Sequence, residues 1–219
     1  MTATLLVDAV VFDFGGVYTP SPFDAMITLG ARLGIEPSEA MAHVFGPYDR
    51  DTDHPWHQAE RGELDIEATR DAILAAALEE GLEIDLYEVF GMIAGTGGDV
   101  RAEMVERTRR LRVEGYRTAL ITNNVVEFRE HWRAMLPLDE LFDVVIDSSE
   151  VGMRKPDPRI FEMALTQLGG IDPTRSVFLD DYPGNITAAE SLGMRGVLVE
   201  AVFDDAIRQL DAILGARTP

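Results

Sequence analysis

The sequence predicts an open α/β fold, a parallel sheet flanked by helices, with a helical unit inserted after the first strand. Three observations carry this. Short apolar runs of the kind that form strands buried on both faces alternate with helical stretches. Three of those runs end on an acid or a hydroxyl, at Asp13, Thr122 and Asp180, and open α/β sheets bind ligands at the carboxyl ends of their strands. Between about Pro20 and Gly95 the rhythm stops, β-branched runs are missing, and Ala, Leu, Glu and Met prevail.

The first strand is Ala9-Val10-Val11-Phe12, ended by Asp13 and two glycines. The insert follows. Phe23 to Leu33, Pro37 to Val44 and Ile66 to Glu80 have helical spacing. Pro20 and Pro22 on one side, and Gly95-Thr96-Gly97-Gly98 on the other, bracket it like two hinges. The chain thus divides into a discontinuous core, residues 1–19 and 96–219, and a helical unit, residues 20–95. In the core, Met104 to Arg112 reads as a helix stopped at Gly115. Further strands are expected at Thr118–Ile121, Phe142–Ile146, Ser176–Leu179 and Gly196–Val199. Helices are expected at Arg159–Leu168 and at Ile186–Leu192, the latter stopped by Gly193. The last stretch, Asp204 to Gly215, sets Ile207, Leu210, Ile213 and Leu214 on one helical face. Strands alternating with helices imply right-handed crossovers.

Composition narrows the function. Net charge is −20, from 39 acidic and 19 basic residues among 219. Such a surface repels phosphate backbones and anionic membranes, which argues against nucleic acid or lipid surfaces as partners. It would also repel a small anionic substrate unless the site held local positive charge, which a divalent metal and Lys155 could supply. There is no cysteine, hence no disulfide and no thiolate metal site. The apolar stretch near the N-terminus is interrupted by Asp8 and Asp13 and reads as a strand, not a signal peptide. A cytoplasmic location is expected.

Four segments look like parts of one phosphate-handling site: Asp13 in VVFDFGG, Thr122 in ALITNN, Lys155 in GMRKPDP and Asp180–Asp181 in VFLDDYPGN. A carboxylate can attack phosphorus. Thr122 can donate a hydrogen bond to a phosphoryl oxygen, and the Asn123 N–H, at the head of a following helix, can add another. Lys155 offers fixed positive charge to the transferring group. Singly, each has a plainer reading: Asp13 as a turn residue, Thr122 as a helix cap, Lys155 as a solvated loop lysine, the Asp pair as an Asx turn. Their joint occurrence in this order favours the site. In the insert, His54, Trp56 and His57 near Arg61 could line a substrate pocket. Packing of the insert on the core, with the histidines solvated, is the slightly preferred alternative.

The order Asp13, Thr122, Lys155, Asp181 resembles the four motifs of the haloacid dehalogenase superfamily, in a phosphatase-like branch with a DFGGV first motif and a helical cap. The resemblance spans the whole chain and implies a Rossmann-like core with an inserted cap over residues 20–95. It implies a magnesium-dependent phosphatase of a small phosphorylated metabolite, working through an aspartyl-phosphate on Asp13, as a monomer or homodimer. It assigns the metal to Asp13, Asp181 and the backbone carbonyl of Gly15. Asp180 would orient Lys155 or the loop, and Asn185 would act through a water. One departure stands out. The family's phosphatases usually carry a second aspartate two positions after the first, as general acid and base, and here that position is Gly15. Three readings follow: substrates with good leaving groups, a replacement acid such as His54 or His57 in the cap, or a weak phosphatase. Two rival functions remain, a 2-haloacid dehalogenase and a non-catalytic binding protein.

Overall fold

The computed structural model describes residues 7–95, 97, 99–200 and 203–215. Its centre is a five-stranded, wholly parallel sheet. The chain enters at β1 (Ala9–Phe12), all four residues buried, as expected for a strand covered on both faces. It then leaves the sheet for five helices: α1 (Ala25–Leu33), α2 (Pro37–Phe45), α3 (Pro55–Glu60), α4 (Ile66–Glu79) and α5 (Leu86–Gly95). It returns through α6 (Ala102–Val113) to β2 (Arg117–Thr122), then α7 (Arg129–Met135), α8 (Leu138–Leu141), β3 (Val144–Asp147), α9 (Ser148–Val151) and α10 (Pro158–Gln167). The remaining elements are β4 (Ser176–Asp180), α11 (Pro183–Ser191), β5 (Arg195–Leu198) and α12 (Phe203–Leu214). The strand order is β3-β2-β1-β4-β5. No helix among the described residues is long and apolar enough to cross a membrane.

The hydrophobic interior falls into three clusters. Two lie on the faces of the sheet, one including Val10, Phe12, Leu120 and Trp132, the other Val11, Ile121, Phe161 and Phe178. The alternation of Val10 and Val11 between them is the period-two geometry of a strand. The third belongs to the five inserted helices and includes Met26, Phe45, Trp56 and Ile73, with Val125 joining from the core.

Helix ends follow local chemistry. Pro158 opens α10 at a position where its missing N–H is harmless, and the Asp157 carboxylate caps the helix by accepting from Arg159 N at 2.9 Å. The third strand lies two residues later at its start than the apolar pattern suggested, because Phe142 N–H donates to Leu138 O at 2.8 Å to close α8. The helix expected from Ile186 begins at Pro183. Helices α3 and α5 were not legible in the sequence. The first is a short Pro-initiated turn, and the second mixes aromatic and aliphatic residues without clear start signals. Of the glycine hinge, Thr96 and Gly98 lie outside the described residues.

Candidate active site

From β1 the chain builds outward to β2 and β3 on one side, then places β4 on the other. The carboxyl ends of β1 and β4 therefore flank the crevice where α/β sheets take ligands. The register pairs Phe12 with Leu179, so Asp13 and Asp180 leave their strands level with each other. Asp13 N–H donates to Leu179 O at 2.8 Å and fixes the first acid. Phe12 pairs with Leu120 on the other side, which brings Thr122 to the same edge. Lys155 enters on the loop between α9 and α10.

That lysine is the hub. Its Nζ is 2.7 Å from Asp13 Oδ1 and 2.7 Å from Asp180 Oδ2, and only 1% of the residue is exposed. Asp180 is fully buried and also accepts from Tyr182 N at 2.8 Å and from Asn185 Nδ2 at 3.1 Å. The Lys155 backbone is clamped by one side chain: its N–H donates to Asn123 Oδ1 at 2.8 Å, and Asn123 Nδ2 donates to its carbonyl at 3.0 Å. The amide of Asn123 thus holds the lysine in place, a role for its side chain beyond the backbone N–H that the sequence pattern marks. The helix expected directly after Thr122 is displaced. Residues 123–125 form a loop, a 3-10 turn spans Val126–Phe128, and α7 starts only at Arg129.

Asp181 accepts a hydrogen bond from the Ser21 hydroxyl, which arrives from the start of the insert. Beside it, Gly16 has φ of 70°, and a Cβ there would lie 2.1 Å from Asp181 Cγ. Only glycine lets the carboxylate pass so close to the backbone. Gly15 differs. Its nearest neighbour for an added Cβ is Pro22 Cδ at 3.4 Å, an ordinary contact, so the backbone at this position would accept a Cβ.

Asp13, Asp180 and Asp181 each present an oxygen, all within 4.8 Å of one another. Burial pushes the Asp13 carboxyl up to about 7, with Lys155 opposing and Asp180 adding to the shift. Desolvation in the crevice, then the charges of Asp180 and Asp13, raise Asp181 well above the usual carboxylate range. Burial works against the Lys155 ammonium, but Asp13 and Asp180 outweigh it and raise its pKa. Three carboxylates facing one ammonium leave an excess of negative charge that a divalent cation would relieve. Asn185 Oδ1 is buried and has no hydrogen-bond partner, and Asn185 lines the same cavity as Asp13 and Asp181. This hard-oxygen set fits a magnesium-like ion. Asp13 and Asp181 could bind it directly, Gly15 could offer its carbonyl, and Asn185 could reach a bound water.

Above the acids lies a cavity of about 540 Å³, within the range of roughly 300–1,000 Å³ common for small-molecule sites. Asp13, Thr122, Asn123, Lys155 and Asp181 form its floor, and aromatic side chains from the insert and the core form its walls. The insert is fastened to the core beside the lysine. Arg154, fully buried, donates through Nε to Glu60 Oε2 at 2.6 Å, and its guanidinium lies 4.6 Å from the Tyr48 ring centroid.

The insert histidines do not face the substrate space. His54 Nδ1 accepts from Trp56 N–H at 3.2 Å and caps α3. His57 is fully buried, with Nδ1 accepting from Thr52 N at 3.1 Å, and burial together with the nearby Arg154 pushes its pKa down to about 3. Neither lines the cavity, so neither stands where a replacement acid would, nor is His57 solvated. Arg61 is tied to Asp51 at 2.5 Å and to Glu63 at 2.8 Å. Of that segment, Trp56 and Glu60 reach the cavity wall. His131, on α7, also lies at the cavity, and no motif or local pattern in the sequence marks it.

The mouse acyl-CoA dehydrogenase family member 10 is 32% identical over 213 residues, covering 94% of this chain but 19% of that protein's length. A sesquiterpene phosphatase of Aspergillus oryzae is 29% identical over 195 residues, covering 86% of this chain and 88% of its own. Among solved structures, a haloacid dehalogenase family enzyme from Bacteroides thetaiotaomicron, in complex with magnesium and inorganic phosphate, superposes with a TM-score of 0.58 at 22% identity over 90% of this chain and 96% of its own, which shows the shared fold. The family model of haloacid dehalogenase-like hydrolases matches residues 7–193, and the chain belongs to that family.

Proposed function

We propose that this hydrolase is a magnesium-dependent phosphatase of a small phosphorylated metabolite, with residues 20–95 acting as a cap over the site. The observation that carries the reading is Lys155 Nζ, held 2.7 Å from both Asp13 and Asp180 at the mouth of the sheet. The sesquiterpene phosphatase relative, matched along most of both chains, supports it. Asp13 attacks phosphorus, the ester P–O bond breaks, and the alcohol leaves as an aspartyl-phosphate forms. Water then attacks the phosphorus of that intermediate, which releases inorganic phosphate and regenerates the carboxylate. Lys155 orients Asp13 and opposes the protonation that burial favours, and with Thr122 and Asn123 faces the transferring phosphoryl group. Asp180 and Asn185 hold the lysine and the β4 loop. Bound magnesium would neutralise charge on the phosphoryl oxygens.

Gly15 leaves no acid at the usual position, so the leaving oxygen takes its proton from elsewhere or departs unprotonated. Such catalysis typically contributes ~10²–10⁴-fold, and substrates with good leaving groups need it least. The experiment measures phosphate release across aryl and alkyl phosphates of graded leaving-group pKa, with Asp13→Asn as control. A steep dependence, abolished by Asp13→Asn and by EDTA, is expected. The same glycine also suits a haloacid dehalogenase, and halide release that persists in EDTA would establish that reading instead. No turnover of any ester, acyl phosphate or phosphoanhydride with magnesium present would leave a binding protein.

A further inference from the structure

The cavity above Asp13 has one polar end. Phosphate can be met at the floor, by Thr122 and Lys155, while the walls are built from rings such as Phe14, Phe45, Trp56, Phe128 and Trp132. Most of the polar groups that the insert and β3 side bring to those walls are already hydrogen-bonded, and the exposed imidazole of His131 is the main exception. Glu60 Oε1 accepts from the Tyr48 hydroxyl at 2.7 Å and from Trp56 Nε1 at 2.9 Å, and Oε2 accepts from Arg154 at 2.6 Å. Trp132 Nε1 donates to Asp147 at 3.1 Å, and Asn124 Oδ1 accepts from Val125 N at 2.9 Å. A sugar or polyol entering this space would give up hydrogen bonds to water at each of its hydroxyls and find few groups, His131 among them, to replace them. A hydrocarbon would lose nothing and would cover apolar surface that is now open. The half-buried rings of Phe90 and Phe128, centroids 5.1 Å apart, carry this surface across the gap between insert and core.

We infer that the substrate is a phosphate monoester of an apolar alcohol, whose hydrocarbon chain or ring system fills the aromatic cavity while its phosphate sits on Lys155 and Thr122. This rests on the phosphatase reading and names its substrate class. Cap and core both build the chain-binding wall, so specificity is set by burial of apolar area, not by hydrogen bonding. It follows that the rate constant for capture should grow with chain length. Each buried methylene is worth roughly a fourfold gain in kcat/KM, until the cavity is full.

The test is a series of n-alkyl phosphates from ethyl to dodecyl, below their micelle concentrations, with magnesium and a phosphate-release assay. A rise of roughly fourfold per methylene to a plateau is expected, with glycerol 3-phosphate and glucose 6-phosphate, whose leaving groups are also primary alcohols, far below the plateau. Phe90→Asp should flatten the slope; because the slope is a ratio within one variant, partial loss of folded protein does not mimic the effect. A flat series, or a preference for the polar esters, overturns the inference while leaving the phosphatase reading intact. If no ester is cleaved, binding still decides. The chain has two tryptophans, Trp56 and Trp132, and both line the cavity, so intrinsic fluorescence of the Asp13→Asn variant reports its occupancy. Titration with the same alkyl phosphates should give affinity that tightens with chain length, and an affinity independent of length would sink the proposal.

Discussion

Glu60→Gln tests how the insert is held on the core. Glu60 is 1% exposed and Arg154 fully buried, 2.6 Å apart, with the carboxylate also accepting from Tyr48 and Trp56. Taking away one member of a buried ion pair costs about 3–5 kcal/mol, because the other charge stays desolvated. Here the guanidinium would keep the Tyr48 ring, the Arg50 carbonyl at 3.3 Å and the Asp51 carboxylate at 3.8 Å. Glutamine also keeps the acceptor for Tyr48. The loss should therefore lie near the lower end, about 3 kcal/mol. Arg154→Met should cost as much or more, since it leaves a buried carboxylate with two neutral donors. The double variant removes both charges together and should cost less than the sum of the singles. Urea unfolding is the assay. With a slope of about 2 kcal/mol per molar, 3 kcal/mol moves the midpoint down by about 1.5 M. A shift under about 0.3 M for Glu60→Gln, the size expected of a solvent-exposed pair, or strict additivity in the double variant, would refute the idea that this pair is desolvated and fastens the insert.

Gly16→Ala should reduce phosphate release on the order of 10²-fold by displacing Asp181, since its Cβ would fall 2.1 Å from the carboxylate carbon; Gly15→Ala, with 3.4 Å to Pro22, should leave the fold and the metal response intact. Gly15→Asp should raise turnover of poor-leaving-group esters, up to about 10²-fold if the new acid reaches the leaving oxygen, and an unchanged leaving-group dependence would argue against Gly15 as the missing-acid position. Magnesium at ten times its Kd should stabilise the protein by about 1.4 kcal/mol, roughly 3–6 °C in Tm; an equal rise in Asp181→Asn would mean the ion binds elsewhere. His57 has its pKa lowered to about 3, so between its unfolded value near 6.5 and about 3 the unfolded chain binds a proton that the folded one does not. Its contribution is present above pH 6.5 and is lost as the pH falls toward 3; His57→Asn should flatten that acid limb in urea titrations, and an unchanged limb would show that His57 is not held neutral.

How much was legible differs between the sheet and the site. Strand β1 sits where the apolar run placed it, and β2 and β4 lie within one residue at each end, because burial on both faces demands continuous apolar residues whatever the partners are; the edge strand β5 also lies within one residue, though only Val197 in it is fully buried. The inserted helices α1, α2 and α4 were visible in their spacing, whereas α3 and α5 were not, being short or evenly apolar. Asp13, Thr122 and the Asp180–Asp181 pair could be singled out since each follows such a run, and parallel strands deliver their ends to one edge. The clasp of Asn123 on Lys155, the approach of Ser21 and Gly16 to Asp181, the burial of His57 and the aromatic cavity had no local signal.

By itself, then, the sequence determined which segments enter the sheet and which acids stand at its mouth, since hydrophobic periodicity and chain breaks act over a few residues. Only the tertiary structure decided what those acids face. Asp181 meets Ser21 across 160 positions and Arg154 meets Glu60 across 94, and contacts between such distant segments depend on how the insert packs on the core, which no local pattern encodes.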